Sequence, residues 1–192
     1  MQVQEASIGV QGVLETLRSV PPPRFQPGEI CSHLRGLRIS DETLAPYLHF
    51  LPRRYTRNLI FRNDLFELIA LCWEPFTQSP IHNHAGQLCW VSIQSGALSF
   101  ENFKSLDGPG PGDRIRLVPN GLIPRADAGC LDLRDLEEGI HRVSNPFPDR
   151  AVSLHVYSRP YDTCLAYDPL NSTAREIQLW YHSVGGKVVQ RP

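Results

Sequence analysis

From Tyr55 to the C-terminus the chain is a succession of short β-rich runs broken by Gly and Pro, a texture that confines it to a sandwich or a barrel. Within it, LFELIALCW over residues 65–73 is apolar on both faces, which predicts a central strand rather than an edge. The stretch PIHNHAGQLCWVSIQSG, residues 80–96, then places His82 and His84 one residue apart where an apolar strand begins. On a strand, residues i and i+2 project from one face, so both imidazoles can reach one metal ion. Imidazole nitrogen suits Fe, Zn, Cu or Ni, so the pair indicates a metal site without choosing the metal. A third ligand must come from elsewhere. Gly96 and Ala97 predict a turn into a hairpin partner over residues 98–103. Residues 107–113, DGPGPGD, are too rich in Gly and Pro for an element and read as a flexible connection. Further strands are expected over residues 114–118, 129–133 and 151–157, with residues 177–182 closing the sheet.

Ahead of this region the pattern is helical. Val10, Val13, Leu14 and Leu17 fall at helix spacing before the Pro21-Pro22-Pro23 stop, and a second helix is expected over residues 29–37. Ser40 can cap a third that presents Leu44, Tyr47, Leu48 and Leu51, with Pro46 tolerated only in its first turn. None of these segments has ligand or nucleophile spacing, so they are expected to cover the β-region.

At 192 residues the chain fits one domain, a helical cap over about 1–52 and the β-region over about 53–192. With 20% charged residues and a net charge of -1 there is no electrostatic case for nucleic acid or an anionic membrane as partner. The first twenty residues lack a basic start followed by a long apolar run, so a cytoplasmic protein is expected. Cys31, Cys72, Cys89, Cys130 and Cys164 are scattered and odd in number, which predicts reduced thiols rather than a disulfide framework.

The His-x-His pair, followed at fixed distances by Cys89 and Gly96, resembles the first cupin motif, in which a Glu ligand normally stands where Cys89 is. Gly139-Ile140-His141-Arg142-Val143-Ser144-Asn145 resembles the second cupin motif, with its His-x-x-x-Asn ending intact, its Pro replaced and its Gly-to-His gap one residue shorter. Together with Tyr55-Thr56-Arg57-Asn58-Leu59 and Ser153-Leu154-His155-Val156-Tyr157-Ser158, the set resembles the cysteine dioxygenases from about Tyr55 onward. The resemblance implies an all-β cupin (jelly-roll) barrel with a short N-terminal α-helical cap. It implies Fe(II) held by His82, His84 and His141, and a monomer acting on a small thiol and dioxygen.

It also assigns roles. Arg57, with Tyr55 beside it, becomes the carboxylate anchor, and a related enzyme for 3-mercaptopropionate tends to carry Gln there, so Arg57 favours cysteine. Cys89 and Tyr157 match the pair that forms a thioether crosslink in the animal enzymes; Cys164 matches a family cysteine and is read as structural. In residues 151–157 the period of two sets Ser153, His155 and Tyr157 against Val152, Leu154 and Val156. Taken alone, the polar set is either a solvent-facing stripe or an inward hydrogen-bonded relay; the resemblance selects the relay. Three neutral histidines leave the metal charge unneutralised, which favours a thiolate ligand, and leave three of six octahedral positions open. The rival readings are a dioxygenase for another small thiol and a non-catalytic cupin that binds a metal or ligand.

Overall fold

The computed structural model describes residues 8–107, 114–134 and 139–190, with the side chain of residue 134 excepted. All but the first residue of the Gly/Pro connection expected over residues 107–113, and the chain start before residue 8, lie outside them. Three helices come first: α1 over Val10–Ser19, α2 over Pro27–Leu34 and α3 over Asp41–Leu44. The second ends three residues earlier than its pattern suggests, because Gly36 takes a φ of 70° and turns the chain away. The third is a single turn continued by a 3-10 turn over Ala45–Tyr47, which is where Pro46 leaves it. Ser40 gives α3 no side-chain cap; its hydroxyl lies 2.7 Å from that of Thr43, and its carbonyl accepts from the Thr43 and Leu44 amides.

Fourteen strands follow among the described residues. Strands β1 (Thr56–Arg62), β2 (Phe66–Trp73), β3 (Thr77–Gln78), β4 (Ile81–His82), β5 (Cys89–Ser95), β6 (Ala97–Ser105) and β7 (Leu117–Asp127) form the first half. The second half is β8 (Leu131–Arg134), β9 (Ile140–Asn145), β10 (Ala151–Ser158), β11 (Thr163–Asp168), β12 (Thr173–Gln178), β13 (Ser183–Val184) and β14 (Lys187–Val188). One sheet runs β14-β13-β1-β2-β10-β5-β8; the other runs β12-β11-β4-β9-β6-β7, with β3 also on β9. Two sheets with a short helical cap are the layout that the cupin resemblance implies. The two sheets are packed face to face rather than closed into a barrel: Leu59, Ile69, Leu71 and Val91 of one meet Leu98, Phe100 and Val143 of the other in a shared core.

Gly96 and Ala97 do turn the chain, but β5 and β6 are not hairpin partners. β5 pairs with β10 and β8, and β6 with β9 and β7, so the turn carries the chain from one sheet to the other. Residues 177–182 only begin in a strand, and β1 instead receives the short β13 in parallel.

Polarity across β10 is the inverse of a simple two-layer expectation. Val152, Leu154 and Val156 point away from the second sheet and are buried with α1 and α2, against Leu14, Leu17, Ile30 and Phe66. Ser153, His155 and Tyr157 therefore face the space between the sheets, all at or below 2% exposure. The helices remove the outer face from water, and so release the inner face for polar groups.

Candidate metal centre and carboxylate seat

His82 lies on β4, opposite Ala166 of β11 and His141 of β9. His84 is not on the strand: the chain leaves β4 after His82, and Ala85 and Gly86 turn it at φ of 50° and 76°. The pair still converges, because Asn83 pins the loop by accepting from the Leu165 amide at 3.0 Å and the Ala85 amide at 3.4 Å. The result is three imidazoles with one nitrogen each within 4.8 Å of one another. The Nε2 atoms of His84 and His141 are 3.1 Å apart. Two ligands about 2.1 Å from one divalent ion and at right angles to each other would be about 3 Å apart.

The rings are also prepared as ligands. Nδ1 of His82 lies 2.9 Å from the Pro80 carbonyl, which fixes its hydrogen there and leaves Nε2 with a lone pair. Burial, with the charge of Arg57 behind it, lowers the His82 imidazolium to about 4. Among the described residues no carboxylate joins the cluster, and Cys89, at the position of the usual cupin glutamate, is not among its members. Asn145, the end of the second motif, is buried and ties β9 to the β2 exit and the turn beyond, donating to the Trp73, Glu74 and Asp149 carbonyls at 3.4, 3.3 and 2.8 Å.

Next to the imidazoles is the polar row of β10. Trp73 Nε1 donates to Ser153 Oγ at 2.9 Å; Ser153 Oγ lies 2.9 Å from His155 Nε2, and His155 Nδ1 lies 3.2 Å from Tyr157 Oη. Cys89 is the cross-strand partner of Tyr157, and its sulfur is 3.8 Å from His155 Nδ1. Burial brings the His155 imidazolium down to about 3, with Arg57 and His82 adding repulsion. Burial, then the neighbouring Cys89, drives the Tyr157 phenol well above its ordinary range.

Arg57 completes the site. Its guanidinium sits between the Tyr157 and Tyr181 rings, 5.9 and 5.6 Å from their centroids, and its side chain is only 10% exposed. Its Nε and Nη2 have no hydrogen-bond partner among the described residues. A buried cation with idle donors is a seat for an anion. Arg57, Tyr55, His82, His141, His155 and Tyr157 line one inner cavity of about 20 Å³. Tyr55 and Arg57 also border an outer cleft of about 440 Å³ that reaches residues 177–182. Tyr55 stacks on Trp73 at 4.7 Å. Cys164 is buried on β11.

The family model for cysteine dioxygenase type I matches residues 38–170, which takes in Arg57, all three histidines and the whole β10 row. The chain belongs to the cysteine dioxygenase type I family. It is 34% identical to the cysteine dioxygenase type 1 of Rattus norvegicus over 160 residues, 82% of this chain and 78% of the rat protein. The Homo sapiens protein of the same name is 34% identical over 150 residues, 77% of this chain and 72% of the human one. That of Danio rerio is 32% identical over 161 residues, 83% and 78% of the two chains.

Several residues of this candidate site escape a motif reading. Trp73 anchors Ser153, and Tyr161 stands edge-on to Tyr157 at 5.3 Å. Glu67, wholly buried, faces Arg57 at 3.7 Å. One signal for it was in the sequence: a single acid within the apolar run 65–73 must have a partner when that run is buried. Among the described residues no helix is long and apolar enough to cross a membrane.

Proposed function

We propose that this chain is a ferrous-iron-dependent dioxygenase that converts L-cysteine and dioxygen to L-cysteine sulfinate, with both oxygen atoms ending on sulfur. The observation that carries the reading is that two of the three clustered imidazoles, His82 and His141, share one cavity with an Arg57 guanidinium whose Nε and Nη2 have no hydrogen bond among the described residues. It offers a metal position and a carboxylate position on the wall of the same cavity. His82, His84 and His141 would hold the iron, which when bound supplies the redox chemistry that lets dioxygen react with a thiolate.

The chain's own residues set the geometry. Arg57 holds the carboxylate through its idle N–H donors, and Tyr55 adds its hydroxyl at the same end. Ser153 accepts from Trp73 and so gives its own hydrogen to His155 Nε2. His155 then carries its hydrogen on Nδ1 and donates it to Tyr157, which turns the Tyr157 hydroxyl hydrogen toward the cavity. Cys89, in register with Tyr157, would form a thioether to that ring. Forming it replaces one S–H and one ring C–H, the two electrons and two protons going to dioxygen, and an intact mass lower by two hydrogens is its signature. Residues 1–192 act in this reading as one domain and a monomer in the cytoplasm, on a freely diffusing thiol.

Anaerobic loading with ferrous iron, followed by oxygen uptake and product mass with L-cysteine, cysteamine and 3-mercaptopropionate, tests it. One dioxygen consumed per cysteine, with sulfinate formed, is the expected result. Uptake only with another thiol would transfer the reading to that substrate, and iron binding with no uptake from any of the three would reduce the protein to a metal-binding cupin.

A further inference from the structure

Behind Arg57 lies a group of charges that the reaction above does not use. Glu67 of β2 stands in direct register with Tyr157 of β10 on one side and Arg62 of β1 on the other. Its Oε1 is 3.7 Å from Arg57 Nη2 and has no hydrogen bond among the described residues, while its Oε2 is 3.9 Å from Arg62 Nη1 and accepts from the Tyr181 hydroxyl. Tyr181 accepts in turn from Arg62 at 3.0 Å, and Arg62 forms a two-pronged pair with Asp162 at 2.7 and 3.2 Å. The order is Arg57, Glu67, Arg62, Asp162: two cations and two anions, alternating from the cavity wall to the surface.

We propose that Glu67 is the resident counter-ion of Arg57 and thereby determines how strongly, and how selectively, this site takes a thiol that carries a carboxylate. The inference rests on Arg57 as the carboxylate seat. Arg57 is gripped by two aromatic rings and by its strand, so it does not need Glu67 to stay in place. What Glu67 supplies is charge. With it, the buried guanidinium is compensated before substrate arrives, and an incoming carboxylate meets a neutral group of four. Without it, the guanidinium is an uncompensated buried cation until a ligand carboxylate neutralises it, so more of the binding energy appears as affinity. Arg62 acts on the opposite side of the balance: it draws on Glu67, and its loss leaves an extra negative charge beside the seat. A thiol with an amine but no carboxylate is indifferent to both.

The test is anaerobic calorimetric titration of the iron-loaded protein with L-cysteine and with cysteamine, on the parent, Glu67→Gln and Arg62→Gln. Glu67→Gln should tighten L-cysteine about tenfold, equivalent to about 1.4 kcal/mol. Arg62→Gln, at a partly exposed and therefore screened position, should weaken it about threefold. Cysteamine should change less than about twofold in either. Should Glu67→Gln fail to fold, the sign for Arg62→Gln, which keeps the buried carboxylate, decides alone. Parallel shifts for the two thiols, or weaker L-cysteine binding in Glu67→Gln, would overturn the counter-ion role and make Glu67 an aligning group. Oxygen uptake on the same samples separates the two readings. The predicted binding pattern without uptake refutes only the dioxygenase, whereas uptake with an unchanged cysteine-to-cysteamine ratio refutes only the role of Glu67.

Discussion

His82 is fixed by a strand, His84 by a turn and His141 by the strand opposite, yet their nitrogens meet, because Asn83 holds the loop between the first two to β11. Arg57 meets them from the other sheet. A carboxylate held by a guanidinium in a buried site is worth about 1.5–3 kcal/mol per charged hydrogen bond. Arg57→Gln should therefore raise KM for L-cysteine on the order of tenfold to a hundredfold and leave cysteamine nearly unchanged, as steady-state oxygen uptake would read. Equal losses on the two thiols would mean that Arg57 does not contact the carboxylate. At this scale the sequence was informative wherever a motif carries its own spacing: His82, His84 and His141 form one cluster, Arg57 shares a cavity with two of them, and Ser153, His155 and Tyr157 form one hydrogen-bonded row. It was silent on Tyr181 and Tyr161, which reach the site from loops whose path no local pattern encodes. It held only a hint of Glu67.

Elements were legible as elements and illegible as partners. The apolar run that becomes β2 and the alternating run that becomes β10 are adjacent strands in one sheet, with Ser153 opposite Leu71, a pairing of distant segments that only the fold reveals. Periodicity reports which face of a strand is buried and says nothing of which strand lies beside it. Gly96 shows the cost of that silence. A Gly between two β-runs reads as a hairpin turn, whereas here it is the crossing between sheets, at a φ of 69° with the Arg150 carbonyl oxygen 2.4 Å and the Ala151 Cα 2.8 Å from where a Cβ would stand. Gly96→Ala should combine left-handed strain with a backbone collision and lose about 2–4 kcal/mol of stability in urea unfolding. Gly129, at a φ of 90° with nothing within 4 Å of a Cβ, is the control, and Gly129→Ala should lose only about 1–2 kcal/mol. Equal losses at both positions would remove the collision from the account.

Over the whole molecule, the helical cap and the polar interior depend on each other. The helices bury Val152, Leu154 and Val156 from outside, and this lets β10 direct Ser153, His155 and Tyr157 into the space between the sheets. The alternation within that strand left its direction open, because either face could be the inner one until the cap was placed, and only the family resemblance pointed Ser153, His155 and Tyr157 inward. An interior of this kind carries a pH cost with a definite sign. His155 is neutral when folded, with its value brought down to about 3 from an ordinary 6.5. As pH falls below 6.5 the unfolded chain takes up a proton at this residue that the folded chain refuses until about pH 3. The stabilisation is complete above 6.5 and is lost between those values, at up to about 1.4 kcal/mol per pH unit for the one proton. Urea unfolding of the metal-free protein at a series of pH values, for the parent and for His155→Gln, should show the parent losing stability more steeply by close to one proton between pH 6 and pH 4. His82, lowered to about 4 by burial, is present in both proteins and cancels from the comparison. Coincident slopes would mean that His155 is charged in the folded protein, and then it could not accept from Ser153 and donate to Tyr157 in the row that positions the phenol.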